Sequence, residues 1–481
     1  MSRSGRGALA GSISRLTTTD THAPTAAMAV AGDAPRAGMG GLWALFAGLG
    51  LMMIGNGLNG AVIGVRAGTE GFSFLVTGVI MAGYFAGFLL APTVVVRMVA
   101  GVGHIRVFAG LASTASSAVL VHAISVVPVT WVGMRFVFGF CMAGLYIVIE
   151  SWLGEMSDAS TRGRTLGIYM IVSMGGLGLG QYLIAFADPN GFRLFVVSSL
   201  LVSMSLVPVT LAATTKAPTM KLPEKIGVRE LVSIVPTGVL ASFMSGAAAG
   251  ILLGLGAVYA TSIGLSLERT GFFLVAPTIG AILFQWPIGR LSDRIHRRSV
   301  IFGVALAAAA VSATLMVVPQ QSIVVPLLMI FLGGTLYPLY SLVISYTLDW
   351  APAGKTVGAS ATLIRINGSG ALIGPLVAAP LMHAFGERWF FWTMTIAFGS
   401  IVVYLSWRIA VKEALPMERQ TDFVPFPARA GSFAMHLVLT PVKKATRIAA
   451  GRHVTSRRHV SATHGVEPHD AAISDGDTPT S

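Results

Sequence analysis

Apolar runs of about twenty residues recur along this chain and are separated by short polar stretches. A helix of that length, rising 1.5 Å per residue, crosses a hydrocarbon core roughly 30 Å thick. The runs predict helices, numbered 1 to 12, over residues 41–64, 74–97, 104–124, 130–152, 164–187, 192–213, 232–260, 269–289, 299–318, 323–347, 356–384 and 388–410. We therefore predict an all-α membrane protein with twelve transmembrane helices.

Polar segments divide the chain further. Residues 214–231 form the longest internal polar segment and separate six predicted helices, 41–213, from six more, 232–410. The N-terminal residues 1–40 are rich in Ser, Thr, Ala and Gly, and residues 411–481 are polar and basic, so we expect largely disordered tails. Within the second tail, Phe433 to Ala450 leaves open an amphipathic helix on an anionic membrane surface.

The two groups of six helices form an internal repeat with an offset of about 194 residues. At this offset Tyr146 is equivalent to Tyr340, and Gly180 to Gly374. Two related halves predict two pseudo-symmetric six-helix bundles with a cavity between them. That arrangement is the geometry of alternating access.

The distribution of charge indicates a membrane topology. Only 11% of the residues are charged, against about 25% in soluble domains. The net charge of +13 comes mostly from Lys and Arg in alternate loops and in the tail. By the positive-inside rule these loops and both termini are cytoplasmic, which makes lipid rather than nucleic acid the expected surroundings.

Enzyme chemistry is not indicated. The single cysteine, Cys141, lies in an apolar run, so the chain holds no internal disulfide or thiolate metal cluster. The sequence shows no nucleophile triad, no group of metal ligands and no P-loop. We expect no cofactor, no metal and no ATP-driven pumping.

Three stretches resemble a known family. The polar stretch from Gln285 to Arg298, interpreted as a loop between helices 8 and 9, resembles the loop motif of the major facilitator superfamily through Gly289, Arg290, Asp293, Arg294, Arg297 and Arg298. Arg135 to Leu153, and Arg162 to Gln181, resemble its YcaD-like bacterial branch. The resemblance implies a twelve-helix secondary transporter for a small solute, and we expect a monomer in the bacterial inner membrane. Loop 2–3, Arg97 to Arg106, lacks the aspartate of the motif.

The resemblance also implies an inner gate. We hypothesise that Asp293, Arg294, Glu150 and Arg164 form a network that closes the cytoplasmic side and breaks when that side opens. The alternative is a solvated loop that only sets topology.

Two charged residues of helix 4 are candidates for coupling, because a charge in a membrane helix is costly unless it is paired or functional. Arg135 matches the family's fourth-helix Arg-x-x-x-Gly pattern through Gly139, which suggests coupling or bundle stability; the alternative is snorkelling to the outer interface. Glu150 lies near the inner end, where pairing with loop arginines is favoured over a role as proton carrier.

Polar residues inside the predicted helices are candidates for the substrate cavity. They are Asn56, Asn59, Gln181, Tyr259, Gln285, Tyr337, Tyr340, Arg365 and Asn367. Each of the uncharged ones could instead make an interhelical hydrogen bond. Arg365 has no acid well placed to pair with it, so an anionic or polar solute could be its partner; the alternative is that it reaches the cytoplasm.

The function predicted is secondary active transport of a small organic solute by a rocker-switch mechanism, with protons as the candidate coupling ion. The alternative is a transporter-like sensor or scaffold that binds a ligand and signals through its tail.

Several glycines of helices 5 and 11 are expected to allow close contact with neighbouring helices or bending of the helix itself. They are Gly175, Gly176, Gly178, Gly180, Gly368, Gly370 and Gly374.

Overall fold

The structure is a computed structural model, and it describes residues 39–157, 161–212, 226–352, 354–411, 420, 421 and 423. Within these residues, twelve helices are long and apolar enough to cross a membrane. They are α1 Met39–Thr69, α2 Phe74–Val102, α3 His104–Ile124, α4 Pro128–Met156, α5 Arg162–Tyr182, α6 Arg193–Met204 continued by Leu206–Ala212, α7 Pro236–Ser262, α8 Leu267–Arg294, α9 Arg297–Val317, α10 Val324–Trp350, α11 Thr356–Phe385 and α12 Trp389–Val411. The predicted all-α class and the number of spans are confirmed.

Two of the predicted connections are wrong in extent. The segment from Arg97 to Arg106, expected as loop 2–3, is helical except for Gly103, whose φ of +88° suits glycine. The expected loop 8–9 is also largely helical, since α8 continues to Arg294 and α9 begins at Arg297. The helix continues because Gln285, Gly289 and Ser292, three or four residues apart, share a buried face.

The segment between the halves is partly helical as well. A short helix, Val228–Ile234, buries Leu231 and precedes α7, which begins at Pro236 rather than at residue 232. The expectations for residues 1–38 and for Phe433 to Ala450 lie outside the described residues.

Close helix packing at glycines shows the internal repeat. In the first half, a β-carbon at Gly139 would meet the backbone of Tyr84, and one at Gly180 would meet that of Ile54. In the second half, Gly333 lies in the same way against Pro277, and Gly374 against Ala247. Thus α2–α4 and α1–α5 have α8–α10 and α7–α11 as counterparts, which is the pseudo-symmetry that the sequence predicts.

The two halves touch most closely at one end of the bundle. We call it the odd-loop end, because it carries the connections that follow α1, α3, α5, α7, α9 and α11, and the other end the even-loop end. The close approaches between halves at this end include Gly64 with Ala257, Gly68 with Thr261, Gly78 with Ala379 and Gly178 with Thr278. The structure therefore has the halves packed together at the odd-loop end.

Candidate functional site

Glu150 is a buried carboxylate between the halves. It lies in α4, six residues before the end of that helix, with only 1% of its surface exposed. Its Oε1 accepts a hydrogen bond of 2.8 Å from the Tyr169 hydroxyl of α5. Tyr340 of the other half lies within electrostatic range of Glu150. The acid therefore sits where a change in its charge would act on both halves.

The surroundings of Glu150 are aromatic. One turn before it, the Tyr146 hydroxyl donates to the Sδ of Met53 in α1, and the Tyr146 ring packs edge-on against Phe88 of α2 at 6.2 Å. Tyr146 and Tyr340 are equivalent positions of the repeat, and both are buried. A carboxylate among tyrosines can hold a proton or a cationic group.

The predicted gate network is not formed in this conformation. Among the described residues, Arg164 is exposed and makes no ion pair with Glu150 or Asp293, and Arg294 is exposed at the end of α8. Glu150 accepts a hydrogen bond from Tyr169 where the network would have it pair with Arg164. The physical reason is depth, since six residues of helix place Glu150 about 9 Å from the end of α4.

The motif forms a different cluster, centred on Arg297. This side chain is 1% exposed and donates from Nε to Ser292 Oγ at 3.0 Å and from Nη1 to Asp349 Oδ2 at 2.5 Å. Asp293 Oδ1 lies 3.8 Å from Arg297 Nη2. Asp349 was not among the predicted site residues, although an acid at the end of an otherwise apolar helix 10 was the available signal.

The other motif residues lie around this cluster. Arg290 stacks over the exposed Trp286 ring at 3.7 Å, and Arg298 is half-buried at the start of α9. Gly289 faces inward, and a β-carbon there would meet the ring of Phe423 from the tail.

Arg135 is buried between α1, α2 and α4, with 4% exposure. Its Nη1 donates to Asn59 Oδ1 at 3.2 Å, and its guanidinium lies 4.9 Å from the centre of the Tyr84 ring. The snorkelling alternative is therefore wrong, because the side chain points between helices rather than to the interface. Tyr84 was not singled out from the sequence.

Three cavity candidates make helix contacts instead. The Asn367 amide donates to Ser242 O at 2.9 Å and ties α11 to α7. Gln285 Nε2 donates to Ser341 Oγ at 2.9 Å and ties α8 to α10. Tyr259 stacks on Phe390 of α12 at 4.6 Å. The two hydrogen bonds match the alternative of interhelical bonding, whereas the Tyr259 contact is aromatic stacking.

Three other candidates are buried in the bundle. Asn56 Nδ2 in α1 and Gln181 Oε1 in α5 are buried without a hydrogen-bond partner among the described residues. Such orphan groups are costly unless water or a ligand satisfies them. Tyr337 lies between the halves, packed with Met174 of α5 and Ala281 of α8.

Arg365 is the charged candidate, on α11. It is exposed, nine residues after the first residue of α11. Three residues on, Gly368 packs on Leu89 of α2, so Arg365 lies beside the α2–α11 seam between the halves. Its guanidinium makes no hydrogen bond or ion pair with any residue that the structure describes.

Comparisons with known proteins agree with this architecture. The model of the Major Facilitator Superfamily matches residues 238–456. An uncharacterized MFS-type transporter of Yersinia enterocolitica, YE1530, is 25% identical over 334 residues, which cover 68% of this chain and 84% of the relative. The uncharacterized MFS-type transporter YcaD of Shigella flexneri is 25% identical over 357 residues, covering 72% and 90%.

Solved structures share the fold. A mutant of the nucleoside transporter NupG superposes with a TM-score of 0.65 at 13% identity over 77% of this chain and 99% of that one. An inward-facing, occupied bacterial homologue of the human lysosomal transporter Spinster gives 0.62 at 12% identity, over 79% and 96%. By the matching model over residues 238–456, the MFS-type relatives and the twelve-helix architecture, the chain is similar to transporters of the major facilitator superfamily.

Proposed function

We propose that this protein is a secondary active transporter that carries a small organic solute across the bacterial inner membrane, driven by protons. The observation that carries the proposal is Glu150, a buried carboxylate bonded to Tyr169 in its own half and close to Tyr340 in the other. Burying a charged carboxylate in a membrane bundle is costly, so proton uptake and release there would favour different arrangements of the halves.

The proposal includes an orientation. Arginines cluster at the even-loop end, among them Arg97, Arg106, Arg164, Arg290 and Arg294, which supports a cytoplasmic position for this end. Both termini then lie inside as well. In this proposal, packing of the halves at the odd-loop end would belong to a state that opens towards the cytoplasm, and the gate network of Asp293 and Arg164 would form in the opposite state.

For the substrate we favour an anionic or polar solute. Arg365 supplies a cation beside the seam between the halves, and Asn56, Gln181 and Tyr337 supply polar groups. A guanidinium at that depth needs an anionic or hydroxyl partner. NupG is a nucleoside transporter by name, which puts nucleosides on the panel of solutes to be tested.

The first test is binding. Purified protein is screened by thermal shift against nucleosides, sugars, organic acids, amino acids and cationic drugs. We expect a polar or anionic solute to stabilise the wild type, and Arg365→Ala to lose that response. Arg365→Lys is expected to retain part of it, because it keeps the charge without the planar fork. An undiminished response in both variants removes Arg365 from the site.

The second test is flux. In proteoliposomes, a proton gradient should drive accumulation of the solute found by binding. Glu150→Gln should lose this accumulation, by about ten-fold or more, and keep solute exchange without a gradient. Glu230→Gln is the matched control, since that carboxylate lies on the surface paired with Lys355 at 2.8 Å. Solute binding without flux in the wild type would favour a sensor instead.

A further inference from the structure

A short tail segment lies on the motif. Beyond α12, the structure places Gln420, Thr421 and Phe423, which we call the strap, against the even-loop end of the second half. The Phe423 backbone N–H donates to Asp293 Oδ1 at 2.8 Å, and the Phe423 ring packs on Gly289. One acid and one glycine of the motif are therefore occupied by the strap.

Further hydrogen bonds hold the strap in place. The backbone N–H and the hydroxyl of Thr421 both donate to Asp349 Oδ1, at 3.0 and 2.8 Å. The carbonyl of Thr421 accepts from Arg297 Nη2 at 2.6 Å. Arg297 and Asp349 are both buried, with side chains 1% exposed, so the strap completes the pairing of two buried charges.

The start of α5, with Arg164, lies at about the same depth in the bundle as the Asp293 site that the strap occupies. Helices α5 and α8 touch at Gly178 and Thr278, towards the odd-loop end. From this contact, Arg164 lies 14 residues along α5 and Asp293 lies 15 residues along α8, both towards the even-loop end. At 1.5 Å per residue they are about 21 and 22.5 Å from the contact, so the two opposite charges lie at nearly the same depth. If the even-loop end closes, they approach each other.

We propose that the strap competes with the start of α5 for this face of α8 and so regulates the closing of the even-loop end. When the strap is docked, Asp293 accepts the Phe423 N–H, and the ring fills the space over Gly289 one turn away. When it is released, Asp293 becomes available to Arg164 and the two halves can close there. This inference rests on the proposed alternating access, and it adds a regulatory element to it.

The test measures distances between the halves in the full chain, in lipid nanodiscs. With Cys141→Ala as background, spin labels are attached at Gly163→Cys and Ser299→Cys for the even-loop end. A second pair, Phe192→Cys and Ile323→Cys, reports the odd-loop end. All four positions are exposed. The measurement needs no substrate, so its outcome is independent of whether a transported solute is found.

The strap is released by Thr421→Val together with Phe423→Ala. We expect the short-distance population at the even-loop end to grow about five-fold, as the loss of one net hydrogen bond would give. The odd-loop distances should lengthen in parallel. Phe385→Ala, an exposed phenylalanine at the odd-loop end, is the matched control and should change neither distance.

A second release variant, Gly289→Ala, displaces the ring while it keeps the strap sequence, and should give the same shift. A lower melting temperature with unchanged distance distributions in both release variants would show that the strap only braces the second half. That result would overturn the proposal, as would a shift of the even-loop pair to longer distances.

Discussion

At the scale of single residues, Arg297 and Asp349 show how this bundle keeps charges buried. Both side chains are 1% exposed, and they are paired with each other across α9 and α10. Ser292 and Thr421 supply further hydrogen bonds. A buried pair of this kind is costly to break, because the partner left behind has lost both its water and its counter-ion.

Arg297→Ala should destabilise the protein by about 3–5 kcal/mol, because it leaves Asp349 buried without its counter-ion. Thermal unfolding in detergent measures the loss. Arg297→Met combined with Asp349→Leu should recover much of it. Arg290→Ala is the control, since Arg290 stacks on an exposed tryptophan and should cost at most about 1 kcal/mol. Equal losses in Arg297→Ala and Arg290→Ala would contradict the assignment.

Tyr169 makes the second prediction at this scale. Tyr169→Phe removes the donor to Glu150 and should lower stability by about 1–3 kcal/mol, the cost of taking a hydrogen bond from a buried acceptor. Tyr404→Phe in α12 is the matched control, because that hydroxyl bonds to no residue within the described ranges. A melting temperature that falls equally in both variants would argue against a structural role for the Tyr169 hydroxyl.

At the scale of helices, glycine decides how closely neighbours approach. The α5 glycines were expected to allow close contact or bending, and only some of them make a close contact. A β-carbon at Gly180 would meet the backbone of Ile54, and one at Gly176 would meet Met53. At Gly175, within the same helix, it would meet none of the described atoms of other elements within 4 Å. Which glycines pack depends on which face of α5 meets α1.

Gly180→Ala should therefore separate α5 from α1 and destabilise the protein by about 1–3 kcal/mol, the usual cost of overpacking. Gly175→Ala should be neutral or stabilising by up to about 1 kcal/mol, since alanine is the better helix former. The melting temperatures of the two variants make the comparison within one helix. A larger loss at Gly175 than at Gly180 would mean that the packing face of α5 is wrong.

At the scale of the whole molecule, the conformation is defined by contact at the odd-loop end. A β-carbon at Gly68 would lie 3.3 Å from Cβ of Thr261, on the facing helix of the other half. Cβ atoms joined by a disulfide are about 3.5–4.5 Å apart, so this position is close to bridging distance. A transporter that works by rocking its halves must break this contact in each cycle.

Gly68→Cys with Thr261→Cys, in the Cys141→Ala background, should cross-link readily under oxidation and stop flux, and reductant should restore it. Cross-linking is followed by the mobility of the protein on a denaturing gel after cleavage between the halves. The pair Gly163→Cys with Ser299→Cys, at the even-loop end, is the comparison and should cross-link less. Full flux through the oxidised Gly68–Thr261 pair would contradict the rocking motion.

The sequence by itself determined the membrane class, the twelve spans and the two related halves. These follow from the length of apolar runs and from residues repeated at one offset, which are local properties of the chain. It also supplied Glu150, Arg135 and the motif as candidates, because charges in apolar helices are conspicuous.

Only the tertiary structure decided which residues the buried polar side chains bond to. Arg297 bonds Thr421, which is 124 residues away, and Arg135 bonds Asn59, which is 76 residues away. The same holds for the continuation of α8 through the motif, where burial of Gln285, Gly289 and Ser292 outweighs the local polarity of the segment. Such contacts depend on how distant helices pack, and no local pattern in the chain specifies that.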